Sequence, residues 1–277
     1  MRPAEVVHRA AGYLERHDVQ SPVPTAEALL ARVLGLTRTE LYTRETGLSS
    51  AEARTFGRAL CLRCTGTPLQ HLTGEQGFRH LVLAVEPGVF VPRPETEIVV
   101  EHALSAVEDL AAPVVIDVGT GTGAIALAIA DEHDGAQIVA VDSSEQALSL
   151  ARENQARAGV NGRVRLVRGD LLSDVEGPFD LVVSNPPYVS PEEYKALQPE
   201  IRLYEPYEAV VGVDIGVKVA AEARALLVPG GRLVLECGDG QAAGLTEALQ
   251  SLGYGQVVET SDLAGRDRVV EGSWDAS

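Results

Sequence analysis

Asn185-Pro186-Pro187-Tyr188 is the stretch of this chain best equipped to hold a reacting group. It follows the apolar run Phe179-Asp180-Leu181-Val182-Val183-Ser184, which reads as a buried parallel strand. Ligands of open α/β sheets bind beyond the carboxyl ends of the strands, so the tetrapeptide is expected at a site. Its two prolines fix φ and carry no N–H. Asn185, standing before a proline, is driven to extended backbone. The product is a stiff turn that presents one side-chain amide, backbone carbonyls and an aromatic ring. Such a turn suits a planar NH2 group, held for methyl transfer to an amide or exocyclic amine nitrogen. Asn185, Pro186, Pro187 and Tyr188 are therefore the candidate catalytic residues.

A second cluster, Asp117-Val118-Gly119-Thr120-Gly121-Thr122-Gly123, follows another apolar strand. Alternate glycines allow a tight turn and close approach of backbone to ligand, and the helix beyond offers unpaired N–H groups. A dinucleotide fingerprint spaces its glycines G-x-G-x-x-G; here the spacing is G-x-G-x-G, which disfavours a nicotinamide enzyme. The acid two residues before Gly119 repels phosphate but suits a cationic aminoacyl group, as in S-adenosylmethionine. Asp142, at the end of the next strand, is placed to accept both ribose hydroxyls. Asp170, after the third strand, is placed to accept from the adenine amine, with Leu171 against the ring. The candidate cofactor-binding residues are thus Gly119, Thr120, Gly121, Thr122, Gly123, Asp142, Asp170, Leu171 and Asn185. No metal is expected: Cys61 and Cys64 have C-x-x-C spacing but no second pair, and they read as ordinary helix cysteines.

An amide nitrogen is a poor nucleophile because its lone pair is tied into the resonance that gives peptide rotation a barrier of about 18–20 kcal/mol. Positioning must therefore dominate the chemistry. The N-methylated cation would be acidic enough to lose its proton unaided, and the sequence around the tetrapeptide shows no His or carboxylate to serve as a tuned base.

These groups need a sheet to hold them. Val114–Val118, Gln137–Asp142, Arg163–Arg168, Phe179–Ser184 and Gly231–Glu236 read as strands. Helices are expected over Gly123–Glu132, Ser144–Ala158, about Asp214–Leu227 and Gln241–Leu252, and two short strands near 254–259 and 267–271 close the chain. The alternation predicts an α/β, Rossmann-like, doubly wound sheet with helices on both faces. Residues 1–72 read instead as a small helical domain. In it, Gly35 ends the helix Ala26–Leu34, and Ser49 or Ser50, with Glu52, caps the helix running to Cys64. Between the two, residues 73–94 read as a linking β-hairpin, with strands Phe78–Val85 and Val89–Val91 joined by Glu86-Pro87-Gly88. Residues 95–277 form the expected catalytic domain, opened by Pro92-Arg93-Pro94-Glu95-Thr96-Glu97 as a helix start. The acidic tail after Val270 is expected to be loose.

The formal net charge is −17, which weighs against direct nucleic-acid binding, since that rests on Lys and Arg. No 18-residue apolar run exists, so no membrane span is expected. The first residues lack the apolar core of a signal peptide, and a cytoplasmic protein is expected.

Together these residues resemble the HemK/PrmC family of protein-glutamine methyltransferases over nearly the whole chain. The most specific segments are Pro92–Glu97, Asp117–Leu127 and Val183–Tyr188. Ile201–Pro206 and Leu233–Gly238 are similar to later family segments. The resemblance implies S-adenosylmethionine as cofactor and, as substrate, the glutamine of the Gly-Gly-Gln loop of bacterial peptide chain release factors. It implies an N-terminal helical domain that helps grip that partner, Arg202 and Glu205 pairing over the site, and a monomer. Leu171 stands where many relatives carry an aromatic residue. Two alternatives share the tetrapeptide: methylation of a ribosomal-protein glutamine, and methylation of a nucleic-acid base, which must first leave its stack. A non-catalytic cofactor-binding regulator has no need of the tetrapeptide.

Overall fold

The computed structural model of the chain describes residues 1–275 apart from residue 174. Its strands are β1 (Glu75–Phe78), β2 (Leu81–Ala84), β3 (Val114–Val118), β4 (Gln137–Asp142), β5 (Val164–Arg168), β6 (Phe179–Ser184), β7 (Leu227–Glu236), β8 (Gly255–Ser261) and β9 (Asp267–Trp274). β1 and β2 form a two-stranded sheet, and the other seven form one sheet in the order β5-β4-β3-β6-β7-β9-β8. β5, β4, β3, β6 and β7 run parallel, and β9 and β8 are antiparallel additions.

The near-continuous apolar runs of the parallel strands have a direct cause. Successive side chains point to opposite faces, and helices cover both. Val115, Ile138, Ala140, Leu181, Val183 and Val234 pack with helices Glu97–Val107 and Ala124–Glu132. Their neighbours Ile116, Val139, Val141, Val182, Leu233 and Leu235 pack on the other face with helices Ile215–Ala223 and Ala242–Ser251.

The chain divides into two compact units. The first comprises Met1–Glu75 together with Gln198–Tyr204. Its core is built by Val7, Leu14, Leu29, Leu30, Leu41 and Phe56 from its helices. Ser49 caps helix Ser50–Cys64 reciprocally with Glu52, and Gly35 closes helix Pro22–Leu34 at φ 63, both as the sequence predicts. The short helix Pro199–Tyr204 is fastened within this unit by Arg63 Nη1 donating to Glu200 Oε1 at 2.6 Å and by a 3.0 Å hydrogen bond between Thr67 Oγ1 and the Tyr204 hydroxyl. The second unit comprises Gln76–Leu197 and Glu205–Ser277 and holds the seven-stranded sheet.

Two expectations need correction. The hairpin is β1–β2, turning at Arg79 and His80 with Arg79 at φ 48, and Val89-Phe90-Val91 is not a strand. The turn residues Glu86 and Pro87 are instead held by the side chain of Gln146, and Val89 is buried with Ala147 and Leu150 of helix Glu145–Ala158. A helix, not a partner strand, buries that apolar run. The tail after Val270 is not loose as far as Trp274, because β9 continues to that residue, which pairs with Gly231 of β7. The Trp274 ring lies 5.5 Å from Tyr254 and under the Arg224 guanidinium. Residues 276 and 277 lie outside the described residues.

Asn154 ties the hairpin to the glycine-rich loop. Its side chain is fully buried; it accepts from Ala84 N at 2.6 Å and donates to Ala84 O and Thr122 O at 3.1 and 2.9 Å. Asn154→Leu keeps the branched shape, though with bulkier methyl groups, and strands three buried backbone groups, each costing about 1–3 kcal/mol. We expect a loss of about 3–9 kcal/mol in urea denaturation. A change below about 1 kcal/mol would show that water replaces the side chain.

Candidate active site

Register alone brings the key groups to one level. Val118 of β3 pairs with Val141 of β4 and with Ser184 of β6, and Ser184 pairs with Leu235 of β7. The next residue on each strand is Gly119, Asp142, Asn185 and Glu236. All four therefore end parallel strands along one rim, where open α/β sheets bind ligands.

The glycine-rich loop is folded over β4. Gly119 N and Thr120 N donate to Val141 O at 2.8 and 2.9 Å, and Gly121 N donates to Asp142 Oδ2 at 2.8 Å. Gly119 and Gly121 have φ of 73° and 56°, where side chains are strained, and a methyl group at either would meet nothing within 4 Å. The space above the loop is open. Asp142 Oδ1 accepts from Ser144 N at 2.9 Å, and each carboxylate oxygen keeps a lone pair for a further donor. An open cradle of backbone beside a carboxylate fits the aminoacyl and ribose parts of S-adenosylmethionine.

Asp117 acts differently from the expectation that it meets the cationic aminoacyl group. It is fully buried under the loop, where Oδ2 accepts from Thr120 Oγ1 at 2.6 Å and from Ala126 N at 3.2 Å, while Oδ1 has no partner. Burial pushes its pKa up to about 7, against the opposing bonds from Thr120 and Ala126. It braces the loop from beneath. Farther along the rim, Gly169 N donates to Asp142 O at 3.2 Å, and Asp170 is exposed. Leu171 sits at φ 50, half-buried against the apolar face that contains Val141.

Asn185 is half-buried and its Nδ2 donates to Thr96 Oγ1 at 3.1 Å. Pro186 is buried, and the Tyr188 carbonyl accepts from Gln241 Nε2 at 3.0 Å. The Tyr188 hydroxyl points at Glu236 Oε1, 3.4 Å away, and burial pushes its pKa well above the usual phenol value. Behind the turn, Val189 and Val211 form a parallel bridge, with Gly212 N donating to Val189 O at 3.1 Å. Arg93 is an ion-pair partner of Glu205 and also lies over the Phe90 ring.

The sequence reading missed Glu236 and Thr96. It found no carboxylate beside the tetrapeptide because Glu236 is far away in the chain; the pairing of β6 with β7 brings it there. The acid ending the apolar run Leu233-Val234-Leu235-Glu236 was the available signal, since an acid at the end of a buried parallel strand lies on the same rim as Asp142.

Gly212 offers a test of the turn. A methyl group there would sit 2.9 Å from both Pro187 O and Pro187 Cγ and 2.7 Å from Ile215 Cγ1. Gly212→Ala must push Pro187 outward. Misplacement by about 1 Å costs up to about 100-fold in rate. We expect kcat to fall at least about tenfold with S-adenosylhomocysteine affinity unchanged, read by initial rates and calorimetry. An unchanged kcat would mean that the turn tolerates displacement.

A Rossmann-like sheet with an open glycine-rich loop beside Asp142 at its rim is a scaffold that a methyltransferase can use. Residues 5–74 match the PrmC N-terminal domain model, and residues 81–201 match that of the methyltransferase small domain. The release factor glutamine methyltransferase of Deinococcus radiodurans is 41% identical over 98% of both chains, and that of Streptomyces coelicolor is 39% identical over 95% of this chain and 94% of the relative. Among solved structures, a methyltransferase from Pyrococcus furiosus superposes with a TM-score of 0.52 at 20% identity, covering 83% of this chain and all of that one. The T. thermophilus 16S rRNA N2 G1207 methyltransferase, in complex with AdoMet and guanosine, gives 0.54 at 18% identity, covering 72% of this chain and 49% of that one. Both share the fold. The chain belongs to the release factor glutamine methyltransferase family, whose methyl donor is S-adenosylmethionine. Among the described residues no group of acids, histidines and cysteines is arranged to hold a metal, and no helix is long and apolar enough to cross a membrane.

Proposed function

We propose that this enzyme methylates the side-chain amide nitrogen of the glutamine in the Gly-Gly-Gln loop of peptide chain release factors. The carrying observation is the orientation of Asn185. Its Nδ2 is engaged inward by Thr96, so its Oδ1 is the atom left to accept an N–H from a target amide. Asn185 stands level with Gly119 and Asp142, the proposed cofactor side of the rim. In this reading the Pro186 carbonyl accepts the second N–H of the target, and Tyr188 packs on the amide plane. Gly119 to Gly123 and Asp142 hold the aminoacyl and ribose parts of the cofactor, and Asp170 and Leu171 face its adenine. Bound S-adenosylmethionine supplies an electrophilic methyl group on a sulfonium.

Hydrogen bonds of about 0.5–1.5 kcal/mol net each cannot account for catalysis. Alignment of an amide with a methyl donor contributes more, up to about 7–11 kcal/mol. The rim is built for alignment: a proline-stiffened turn braced by Gln241 and the Val189–Val211 bridge. The helical unit formed by Met1–Glu75 with Gln198–Tyr204 is read as the part that grips the release factor. The protein is read as a cytoplasmic monomer that does not rely on nucleic acid, in keeping with its net charge of −17.

The test is mass spectrometry of the release-factor Gly-Gly-Gln peptide after incubation with enzyme and cofactor. A gain of one methyl group on the glutamine supports the reading. An unmodified peptide, with label appearing on ribosomal protein or nucleic acid, would replace it with one of the alternatives.

A further inference from the structure

Gln241 stands at the start of helix Ala242–Ser251, and both ends of its side chain are spent on backbone around the tetrapeptide. Its Nε2 donates to Tyr188 O at 3.0 Å, and its Oε1 accepts from Gly238 N at 3.1 Å. We propose that Gln241 is a positioning residue: by pinning the Tyr188 carbonyl it sets the direction of the Tyr188 ring against the target amide. The inference rests on the reading that this ring packs on that amide.

The sequence delivers this side chain through a tight turn. In Gly238-Asp239-Gly240-Gln241 the Gln241 N–H donates to Gly238 O at 3.1 Å, and Gly240 takes φ 77 at the third position, where such a turn calls for glycine. The side chain then folds back onto Gly238 N. A backbone N–H can only donate and a carbonyl can only accept, so one orientation of the amide satisfies both neighbours: oxygen to Gly238, NH2 to Tyr188. Little slack surrounds it. A methyl group on Gly238 would lie 3.0 Å from Gln241 Cδ and Oε1 and 3.1 Å from Tyr188 Cδ2. Ala242 N donates to Asp267 Oδ2 at 3.2 Å, which fastens the start of the helix to β9.

The peptide joining Tyr188 to Val189 is planar, so holding its two polar atoms holds the whole plane. Gln241 takes the oxygen, and on the opposite edge Val189 N donates to Val210 O at 3.1 Å. The residue before Tyr188 is Pro187, whose ring fixes its own φ. Tyr188 is thus confined from both sides. Its hydroxyl contributes less, since the contact with Glu236 Oε1 is 3.4 Å. Without Gln241 the plane can turn about the Val189 hydrogen bond and carry the ring with it.

Full-length wild type, Gln241→Glu and Gln241→Met are compared by kcat and KM toward release factor, by S-adenosylhomocysteine affinity, and by the backbone carbonyl NMR signal of Tyr188. Glutamate matches the shape and keeps an acceptor for Gly238 N, but an ionised carboxylate turns lone pairs on the Tyr188 carbonyl; methionine keeps the length and loses both bonds. Both variants should lower kcat by about 10–100-fold, with KM and cofactor affinity within about threefold of wild type. Both should move the Tyr188 carbonyl signal. Wild-type kcat in Gln241→Glu would overturn the proposal, because the Gly238 end alone would then suffice. A Tyr188 signal unmoved in either variant would overturn it as well. So would a cofactor affinity that falls in step with kcat, the mark of a general loosening of the rim. If wild type leaves the release factor unmethylated, the function reading fails while the Tyr188 signal still decides this one. If Gln241→Met does not fold, Gln241→Glu carries the test.

Discussion

Asn185→Ala should lower kcat for glutamine methylation by about 10²–10³ while S-adenosylhomocysteine binds within about threefold of wild type, the size seen when one preorganised polar group is removed from a transition state. The substitution deletes the Asn185 Oδ1 acceptor, which lies on the rim between Gly119 and Glu236. It leaves the Gly119–Gly123 loop, Asp142 and the Val189–Val211 bridge in place. The target amide then loses half of its proposed hydrogen-bonding frame, and with it the alignment that offsets its weak nucleophilicity. Because the missing contact matters most as the nitrogen leaves planarity, the change should fall on kcat more than on KM. Asn185→Asp is a stricter control. A carboxylate keeps the acceptor but loses the donor to Thr96, placing like charge near Glu236, and it should fall nearly as far as Ala. Wild-type rates in Asn185→Ala with cofactor bound would remove this residue from the chemistry.

The parts of this site legible in the sequence are those that one strand end carries with it. Asn185 and Asp142 each follow an apolar run whose burial on both faces is explicit in the residues, and the rim position follows from the strand ends. The glycine spacing gave the loop and its open side. The illegible parts are those that depend on pairing between distant segments. Glu236 reaches the tetrapeptide through β6–β7 pairing, Thr96 through the packing of the Pro94–Thr96 turn, and Arg93 reaches Glu205 across more than a hundred residues. Nothing in the helix pattern of 144–158 singles out Asn154, and only the fold shows it bridging Ala84 and Thr122. Asp117 was legible as part of a motif but not as a brace, because its burial depends on the loop closing over it. The hairpin failed for a related reason: alternation in Phe78–Val91 marks burial without saying whether a strand or a helix provides it. Segment 198–204 shows the same limit, since nothing local assigns it to the helical unit that it joins through Arg63 and Thr67.

Asp142→Ala should weaken S-adenosylhomocysteine binding by about 10²–10³, because hydrogen bonds to a charged group contribute about 1.5–3 kcal/mol each and two ribose hydroxyls are proposed to share this carboxylate. The loss has a second source within the protein itself. Oδ2 holds Gly121 N and Oδ1 holds Ser144 N, so one side chain shapes the cradle and also steadies the residue whose Oγ caps helix Glu145–Ala158. Asp142→Asn separates the two effects poorly but informatively. An amide has one acceptor oxygen, so it can satisfy Gly121 or Ser144 and must point an NH2 at the other. It should therefore bind cofactor nearly as weakly as Ala despite its matching shape. At saturating cofactor both variants should recover kcat to within about tenfold, since the methyl acceptor is held by the other side of the rim; uniform binding energy moves affinity rather than turnover. Calorimetry with S-adenosylhomocysteine and rates at high S-adenosylmethionine make the separation. Unchanged affinity in Asp142→Ala would place the ribose elsewhere, whereas a kcat that stays low at saturation would mean that Asp142 and Asn185 cannot be assigned to cofactor and acceptor separately.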